Sequence, residues 1–472
     1  MKSCMYKYFH RTWSLWILVI IFMNIFVFIN VIRNQGVVYL NNNDRIIQDL
    51  DAKIQKLVDE AHNEVEEHKS FMKNLSNLLE KISANSQIVT QNSFTQWKEK
   101  HLNHCSDSVI AVLIITCNRS SGLERTLKQI IKYRSQLDSK ATLFPVFISQ
   151  GCNDRPTKEI VEKYKKNISG TLFYHQKDDE LMKKVKNKRM FGYFKISDHY
   201  RNAIDWVLGL GNQTYDYHLY SPILLNELGS LLIVEDDLDI APDFFSYFSA
   251  TNFILRNDNK LFCVSAWNDN GKKNLVNQSA NAQLYRTDFF PGLGWMMLRT
   301  FWEEIREKWP DSFWDEYLRQ PEIRKNRQCI RPEIPRTATF GRKGVSNGQF
   351  FDKHLKFLLL NDKPVDFCKA NLSYIMTKET YDSLWLKEVY NDSVPVLLTD
   401  FLRSKPEKLP KKLRIEYSVN KEFSAFAKQL SLMDDVKSGV PRTAYLGVVT
   451  FMRDNLRVFL SPKRNWTHYM LI

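Results

Sequence analysis

Three consecutive carboxylates, Glu235, Asp236 and Asp237, directly follow the apolar run Leu231–Val234. Such a run is typical of a buried β-strand, so the acids are expected at the end of a strand. Adjacent carboxylates repel one another and resist removal from water unless a cation or hydrogen-bond donors compensate their charge. On an extended backbone Glu235 and Asp237 point to one side and Asp236 to the other. The triplet therefore predicts a site where a divalent metal binds one acid while another accepts sugar hydroxyls; the competing interpretation is a solvated strand-to-loop turn.

Three clusters further along the chain combine groups that could bind a sugar or a nucleotide. Tyr285–Trp295 joins aromatic surface to two glycines that allow a ligand to approach the backbone, although such stretches also form tight turns against a core. Trp309–Glu316 sets acids beside aromatic rings, which can carry a sugar; alternatively, Asp311 or Ser312 caps a helix there. Gly341–Gly348 is glycine-rich and basic, which suits a lid over a diphosphate or a solvated linker. Each cluster keeps two interpretations until the fold is known.

The elements that position these clusters alternate between strands and helices. Apolar runs predict four strands, and helical periodicity predicts a helix between the first two: the strands Val109–Ile115, Leu143–Ser149, Leu231–Val234 and Leu261–Ala266, and the helix Gly122–Tyr133. This alternation predicts an α/β fold with a mainly parallel sheet, which binds ligands at the carboxyl ends of its strands. Cys117 and Cys152 follow the first two strands, so that edge can also hold a disulfide. No GxGxxG or Walker A sequence is present, which disfavours a dinucleotide-binding fold and a phosphate-loop ATPase.

The segment Trp13–Ile32 is uncharged and matches the roughly 20 residues that are needed to cross a bilayer. No small-residue cleavage site ends it, so we expect an uncleaved anchor rather than a signal peptide. Three basic residues precede it and favour a cytosolic N-terminus: Lys2, Lys7 and Arg11. The sequence therefore predicts a cytoplasmic tail (1–12), a transmembrane anchor (13–32) and a catalytic part on the lumenal side.

Residues 33–105 are predicted to form a helical stem. The polar stretch Asn41–Lys100 lacks Gly and Pro, and apolar residues at helical spacing lie near its start. The simplest role of such a stem is to hold the catalytic part away from the membrane. A short coiled coil within it would also produce an oligomer.

Cysteine usage and charge fit a lumenal protein. The chain has seven cysteines without CxxC spacing and several Asn-x-Ser/Thr sequons, so disulfides and exposure to the lumen are expected instead of a cysteine metal site. The formal net charge is +14. Because a lumenal protein rarely meets nucleic acid, we expect no nucleic-acid partner. We interpret the excess of basic residues as groups that face a negatively charged sugar-nucleotide donor or that lie on a solvated surface.

The stretch from Val234 to Tyr374 resembles the N-acetylglucosaminyltransferase I family of alpha-1,3-mannosyl-glycoprotein 2-beta-N-acetylglucosaminyltransferases. The matching stretches are EDDLDIAPDFFSYF, SAWNDNGK, LYRTDFFPGLGW, FWDEYLR, CIRPEIPRT and TFGRKGVSNGQFFDKHLKF. The similarity continues through FSAFAKQLSLMDDVKSGVPR near the C-terminus. These motifs are long and rare in combination, so chance agreement does not explain them.

The resemblance implies a type II Golgi membrane protein with a GT-A type nucleotide-sugar-binding domain and a smaller C-terminal α+β domain. On this chain the two domains correspond to 106–341 and 378–472, and a linker with a donor-closing loop corresponds to 342–377. The implied reaction is inverting transfer of N-acetylglucosamine from UDP-GlcNAc, with Mn²⁺, to O2 of an α-1,3-linked mannose of high-mannose N-glycans, which starts hybrid and complex N-glycan synthesis. The expected partners are therefore UDP-GlcNAc, a mannose-terminated N-glycan and the membrane.

The resemblance also implies roles for residues at the donor site. Asp237 matches the single protein ligand of Mn²⁺, which otherwise binds the donor diphosphate and water. Asp236 and Glu235 match contacts to the ribose and sugar of the donor. Arg119 and His199 match positions that hold its uridine part.

Further positions follow from the same motifs. Asp315 matches the catalytic base, and Val345 and Ser346 lie in the loop that closes over bound donor. The disulfides implied by the family are Cys117–Cys152 and Cys263–Cys329. In this reading the acidic triplet binds the leaving group, and the proton is taken by an acid well downstream.

Two departures from the family pattern concern the rim of the site. Gly151 stands where the family has an acid that contacts the uracil, and Asp154 is near but shifted. The chain also carries an extra stretch around Gly209–Gly229, which we interpret as a surface insertion or as an altered acceptor rim.

Other functions stay open at this point. An enzyme that adds N-acetylglucosamine to O-linked mannose on proteins would belong to the same family, but it usually carries a lectin-like domain that this stem is too short and too polar to form. An inactive, membrane-tethered adaptor could keep the fold for binding. A glycosidase also uses two carboxylates, but it does not need a basic glycine-rich lid or an Arg/His pair that grips a nucleotide.

Overall fold

The computed structural model describes residues 109–464, apart from 177, 211–228, 343, 345–347 and 349–350, together with parts of 20–29 and 50–73. The chain divides into two compact units, Met1–Val89 and Thr90–Ile472. In the first unit the described residues are helical. The predicted anchor and stem lie largely outside the described residues. Within the part that is described, no helix is long and apolar enough to span a membrane.

The second unit alternates strands and helices, numbered here in chain order. Its described strands are β1 (Ile110–Thr116), β2 (Val146–Gln150), β3 (Gly170–Phe173), β4 (Ser230–Glu235), β5 (Leu238–Ile240), β6 (Leu261–Ser265), β7 (Leu284–Thr287), β8 (Trp295–Leu298), β9 (Gln328–Pro332), β10 (Thr337–Thr339), β11 (Val394–Pro395), β12 (Lys412–Tyr417), β13 (Val436–Lys437), β14 (Val440–Pro441), β15 (Val449–Arg453) and β16 (Leu456–Pro462). Its described α-helices are α1 (Ser120–Ser135), α2 (Arg155–Lys163), α3 (Asp178–Lys184), α4 (Phe191–Val207), α5 (Phe244–Asn257), α6 (Arg299–Ile305), α7 (Trp314–Arg319), α8 (Pro321–Arg324), α9 (Lys378–Tyr390), α10 (Leu398–Arg403) and α11 (Asn420–Gln429).

An eight-stranded sheet, in the order β3-β2-β1-β4-β8-β6-β9-β7, forms the centre of this unit. The four strands β3, β2, β1 and β4 are parallel, and β6 is parallel to β9. In contrast, β8 is antiparallel to β4 and β6, and β7 is antiparallel to β9. The predicted α/β fold is therefore confirmed. The sheet is parallel from β3 to β4, the strand that leads into the acidic triplet, whereas the half formed by β8, β6, β9 and β7 is mixed.

The strand β1 shows why the sheet forms at these residues. All of its residues are buried. Ile110, Val112 and Ile114 pack with α1 and α5 in one hydrophobic cluster, whereas Ala111 and Leu113 pack with α4 and α6 in another. A strand that is covered on both faces needs a continuous apolar run, as parallel sheets typically show. For this reason the four apolar runs coincide with strands, with small shifts at their ends.

The aromatic stretch Tyr285–Trp295 belongs to the core. It connects β7 to β8, and its large side chains are buried, including Phe289, Phe290 and Trp295. Of its two interpretations, the turn against a core is the one that the structure has. The burial of these rings explains why the sequence is so rich in aromatic residues there.

A second sheet, in the order β11-β12-β16-β15, lies in the C-terminal part of the chain. The strand β12 is parallel to both of its neighbours, and β15 is antiparallel to β16. This sheet and α11 share a third hydrophobic cluster, which includes Leu413, Ile415, Phe423 and Val458. The cluster has the α+β character expected of the predicted C-terminal domain, whose bounds remain a prediction.

Two local features fix the strand ends near the acidic triplet. The ribbon of β5 and β10 pairs Thr339 with Leu238, and the amide of Phe340 donates to the Asp237 carbonyl at 3.0 Å. Both predicted disulfides are present, Cys117–Cys152 and Cys263–Cys329, with Cα–Cα distances of 5.1 and 4.6 Å. The first joins the segments that follow β1 and β2, and the second joins residues that are paired in register between β6 and β9.

Candidate active site

The acidic triplet lies where β4 ends, beside the end of β1. Ile115 pairs with Glu235 in register, so the residues that follow β1 lie next to the triplet. Asp236 is 1% exposed and accepts a hydrogen bond from the Thr116 hydroxyl at 2.7 Å. Burial raises the pKa of Asp236 to about 6, although Arg119 opposes the shift. The solvated-turn interpretation is therefore wrong for this residue.

Arg119 compensates the charge of two of the acids. One nitrogen of its guanidinium lies 2.9 Å from Asp236 Oδ1, without the alignment of a hydrogen bond, and the other donates to Asp237 Oδ2. Burial lowers the pKa of Arg119, but the charges of Asp236 and Asp237 outweigh this effect and raise it. Arg119 already contacts Asp236 and Asp237. Its predicted contact with uridine therefore requires the guanidinium either to bind the acids and the uridine together or to move away from the acids when donor binds.

Asp237 has one oxygen that none of the described residues contacts by a hydrogen bond. Its Oδ1 atom is buried and has no hydrogen-bond partner within the part of the chain that the structure describes. Gly341 lies directly against the carboxylate, and a Cβ atom at that position would collide with Asp237 Oδ2. A buried carboxylate oxygen without a partner is costly unless a cation or donor binds it. The segment after β10 therefore closes over Asp237 only because residue 341 is a glycine.

Tyr200 connects the triplet to the helix that carries Asp315. Its hydroxyl donates to Glu235 Oε1 at 2.5 Å, and its ring stacks on Trp314 with centroids 4.2 Å apart. Burial raises the pKa of Tyr200 well above its usual value, and the charges of Glu235, Asp237 and Asp315 add to the shift. The pKa of Glu235 is also raised, first by burial and then by the charge of Asp237. The charges of Glu235, Asp237 and Asp315 all act on this one tyrosine, so the structure brings near one another acids that are far apart in sequence.

Asp315 lies in the first turn of α7, with its side chain 41% exposed. Its Oδ2 atom accepts a hydrogen bond at 2.7 Å from Arg319, whose own side chain is buried. A helix does begin in this region, as the alternative interpretation expected, but its N-terminal cap is Phe313 rather than Asp311 or Ser312. Asp315 is therefore an accessible carboxylate on a short, well-packed helix, as a base that meets an acceptor must be.

His199 and Gly151 lie together at the edge near Cys152. The ring of His199 is buried, contacts the Ser149 hydroxyl at 2.8 Å and stacks with Tyr174. A Cβ atom at Gly151 would collide with this ring. Burial lowers the pKa of His199 to about 3, so the imidazole is neutral at physiological pH. In this structure the backbone at residue 151 thus lies so close to the His199 ring that glycine is the residue that fits there.

Asp154 does not replace that acid. Its Oδ2 atom accepts hydrogen bonds from the amide and the hydroxyl of Thr157 at 3.0 and 2.6 Å, which makes Asp154 the N-terminal cap of α2. The predicted donor-loop residues Val345 and Ser346 lie outside the described residues. The same is true of most of the Gly209–Gly229 insertion, so these expectations stay predictions.

Comparison with known proteins identifies the family. The GNT-I family model matches residues 13–471, nearly the whole chain. The chain belongs to the GNT-I family. A relative from Arabidopsis thaliana, named alpha-1,3-mannosyl-glycoprotein 2-beta-N-acetylglucosaminyltransferase, is 38% identical over 354 residues, which cover 75% of this chain and 73% of that protein.

Similarity to solved structures is more distant. Staphylococcus aureus TarS 1-349 is 12% identical, with a TM-score of 0.30 over 48% of this chain and 58% of that one. The mannosyltransferase PcManGT from Pyrobaculum calidifontis, in complex with GDP-Man and Mn²⁺, is also 12% identical, with a TM-score of 0.28 over 52% of this chain and 68% of that one. Scores this low support no statement about the site of this GNT-I family member.

The residues of this GNT-I family site suit a metal that takes a single protein ligand. No group of three His, Cys, Asp or Glu side chains within the described ranges could hold an ion. The Oδ1 atom of Asp237, which has no hydrogen-bond partner among the described residues, offers one hard oxygen, and this fits Mn²⁺ or Mg²⁺ if a diphosphate and water complete the coordination.

Tyr200 and Arg319 are site residues that sequence reasoning missed. Tyr200 directly follows His199, and Arg319 lies four residues after Asp315 on one helix face, a spacing that does signal an ion pair. Nothing in the sequence signals the contact between Tyr200 and Glu235, because it depends on how α4 packs against β4.

Proposed function

We propose that this chain is an inverting glycosyltransferase that moves N-acetylglucosamine from UDP-GlcNAc to O2 of an α-1,3-linked mannose of high-mannose N-glycans. The observation that carries the proposal is the 38% identity to the relative of that name over three quarters of the chain. The site supports it, because Tyr200 contacts Glu235, one of the acids suited to a metal–diphosphate group, and stacks on Trp314, which directly precedes Asp315, the exposed acid suited to a hydroxyl. The reaction would start hybrid and complex N-glycan synthesis.

In the proposed mechanism Asp315 accepts the proton of the mannose O2 hydroxyl while that oxygen attacks the anomeric carbon of the donor sugar. Arg319 holds the carboxylate of Asp315 through the 2.7 Å hydrogen bond and leaves part of it exposed to the acceptor. The attack from the face opposite the departing UDP inverts the configuration. The base and the leaving-group site are therefore separate, as an in-line displacement requires.

Asp237 would hold Mn²⁺ through its Oδ1 atom, and Glu235 and Asp236 would contact the sugar and the ribose. When bound, Mn²⁺ would supply Lewis-acid stabilisation of the negative charge on the UDP leaving group. Arg119 can offset part of the same charge, since its guanidinium lies between Asp236 and Asp237. His199, neutral and buried beside Gly151, would bound the uridine end of the site.

We further propose a single-pass type II protein of the Golgi membrane with a lumenal catalytic part. Its support is the uncharged segment 13–32 and the two disulfides, which suit an oxidising compartment. A stem-mediated oligomer belongs to the same proposal.

A transfer assay with two acceptors tests the proposed reaction. The full chain in detergent is incubated with UDP-GlcNAc and either a high-mannose N-glycan or an O-mannosyl peptide, with Mn²⁺ or with a chelator. We expect a β-1,2-linked product on the N-glycan alone, which is lost with the chelator and restored by Mn²⁺. A product on the O-mannosyl peptide would favour the other enzyme of the family, and donor binding without a product on either would favour a binding protein.

A further inference from the structure

The aromatic residues beside Asp315 differ sharply in accessibility. Trp309 and Trp314 are each 8% exposed and stack on each other with centroids 6.0 Å apart, so their faces are used in the core. Phe313 is 40% exposed, although it lies directly before Trp314. Among the aromatic residues that the structure describes in 309–316, Phe313 is therefore the one with a surface available to a ligand.

The backbone of Phe313 is in an unfavourable conformation. Its φ and ψ angles are 53° and 48°, in the left-handed region that favours glycine. This region is unfavourable for a bulky residue, and residues held in it cluster at functional sites. The turn itself needs no aromatic side chain, because the carbonyl of residue 313 starts α7 by accepting from the amide of Tyr317 at 3.1 Å. Glycine would form the same turn at lower cost, so the ring itself requires an explanation.

The ring of Phe313 is held in one orientation by α4. Tyr193 stacks on it with centroids 4.5 Å apart and an angle of 27° between the planes. This contact covers one face of Phe313 and leaves its remaining exposed surface to solvent. An aromatic ring that is fixed in this way is preorganised for binding, because little conformational entropy is lost when a ligand stacks on it.

The position of Phe313 points to the acceptor side of the site. It precedes Asp315 by two residues, and Asp315 is the exposed acid of the site. Glu316, the next residue of the same turn, is paired at 3.0 Å with Lys437 of β13, so an ion pair adjoins Asp315 on the helix. A rigid aromatic face with ionic groups nearby suits a pyranose, whose C–H face packs on the ring while its hydroxyls hydrogen-bond to polar groups.

We propose that Phe313, held by Tyr193, is an acceptor-binding residue that stacks on a mannose-containing glycan and sets its hydroxyl beside Asp315. This inference rests on the proposed function and deepens it, since it names the surface that selects the acceptor. It also explains the strained backbone, because the left-handed conformation turns the ring out of the aromatic core formed by its neighbours.

The test compares Phe313 variants of the full chain in steady-state transfer to a high-mannose N-glycan. Phe313→Ala should raise the acceptor KM about tenfold, which corresponds to about 1.4 kcal/mol of binding. The KM for UDP-GlcNAc and the hydrolysis of donor without acceptor should not change. Phe313→Tyr keeps an aromatic face and should retain the parent acceptor KM. Leu397→Ala, at an exposed apolar residue far along the chain, is the surface control and should match the parent.

Phe313→Gly separates binding from a purely structural role. Glycine relieves the backbone strain, so this variant should be at least as stable as the parent in denaturant unfolding while its acceptor KM rises as in Phe313→Ala. Tyr193→Ala should raise the acceptor KM by a smaller factor, because the ring of Phe313 loses its support. A rise in acceptor KM that appears only with loss of stability would overturn the proposal, since it would show that the ring acts through folding.

The inference and the proposed function can fail separately. If the parent transfers to the N-glycan but Phe313→Ala and Phe313→Gly keep its acceptor KM, the stacking proposal is wrong and the function stands. If the parent transfers to neither acceptor, the function is wrong. In that case NMR saturation transfer from the chain to a mannose-terminated glycan, compared between parent and Phe313→Ala, still decides the binding role: equal signals would reject it.

Discussion

The site contains two acidic regions that differ in environment although they share residue types. At the end of β4, Asp236 is almost fully buried and its charge is met by Thr116 and Arg119. On α7, Asp315 is 41% exposed and is held by a single arginine, Arg319. Buried acids whose charge is partly neutralised by an arginine are suited to bind a metal ion that in turn binds a diphosphate. An exposed acid is suited to meet a neutral hydroxyl that arrives from solvent.

The two regions are joined by a rigid connection rather than by a shared ligand. Tyr200 donates to Glu235 on one side and stacks on Trp314 on the other. Trp314 also stacks on Trp295 of β8, so the start of α7 is fixed to the central sheet. Burial and neighbouring charge thus give identical carboxylate side chains different chemical properties within one fold.

Replacing Asp237 tests the buried region and should give the largest effect. Asp237→Asn keeps the shape but removes the charge that would bind the metal. We expect transfer to fall by about 10³-fold or more, since the metal contributes several kcal/mol of charge stabilisation. Mn²⁺ added together with UDP, and followed by electron paramagnetic resonance, should bind the parent but no longer bind this variant.

The matched control is Asp239→Asn, two residues further along the chain. Its carboxylate pairs with Arg125 and Gln129 away from the site, so metal binding and transfer should stay close to those of the parent. Normal Mn²⁺ binding by Asp237→Asn would remove the distinction between the two regions.

Replacing Asp315 tests the exposed region. Asp315→Asn should lower the transfer rate by about 10²–10⁴-fold, as the loss of a general base typically does. Binding of UDP-GlcNAc in the presence of Mn²⁺ should persist, because the proposed donor contacts are made by other residues, Glu235, Asp236 and Asp237. Calorimetry of donor binding together with the transfer rate measures both quantities.

Asp311→Asn is the control for this experiment. Asp311 precedes α7, is exposed and pairs with Lys184 at 2.7 Å. Its replacement should leave both quantities unchanged. Near-parental turnover in Asp315→Asn would show that another group takes the proton.

The elements that bury a continuous apolar run could be predicted from the sequence. The run Val109–Ile115 corresponds to β1, and Leu231–Val234 lies within β4. The antiparallel strands could not be predicted in this way. Trp295 begins β8, which lies between β4 and β6. The aromatic residues before it show no alternation of apolar and polar residues that would indicate a strand, and the strand pairs with residues that are distant in sequence. Local patterns predict strands; they do not predict the order of strands in a sheet.

The same limit applies to the site. Motifs identify Asp237 and Asp315 as candidates, but the contacts that define their environments connect different elements. Arg119 reaches Asp237 across 118 positions of sequence, and Tyr200 reaches Glu235 across 35. The packing of α4 and the loop after β1 creates these contacts, so the sequence alone could name the acids without predicting which would be buried.

The burial of His199, on the proposed donor side, also makes stability depend on pH, which is the smallest effect we predict. Burial lowers the pKa of His199 to about 3, against about 6.5 in an unfolded chain. Above pH 6.5 both states hold a neutral ring, so His199 contributes no pH dependence. Between pH 6.5 and about 3 the unfolded chain binds the proton more strongly, so the free energy of unfolding should fall by up to about 1.4 kcal/mol per pH unit.

Urea unfolding between pH 7 and pH 4 of the parent and of His199→Gln isolates this effect. The variant cannot take up the proton, so its stability should decline less steeply, and the difference between the two proteins should shrink as the pH falls. Asp198, whose pKa burial raises, acts in the opposite direction but is present in both proteins and cancels in the difference. The exposed His175→Gln is the control and should keep the parent slope. Equal slopes for His199→Gln and the parent would mean that the ring is solvated, and the donor side would then no longer differ from the exposed surface around Asp315.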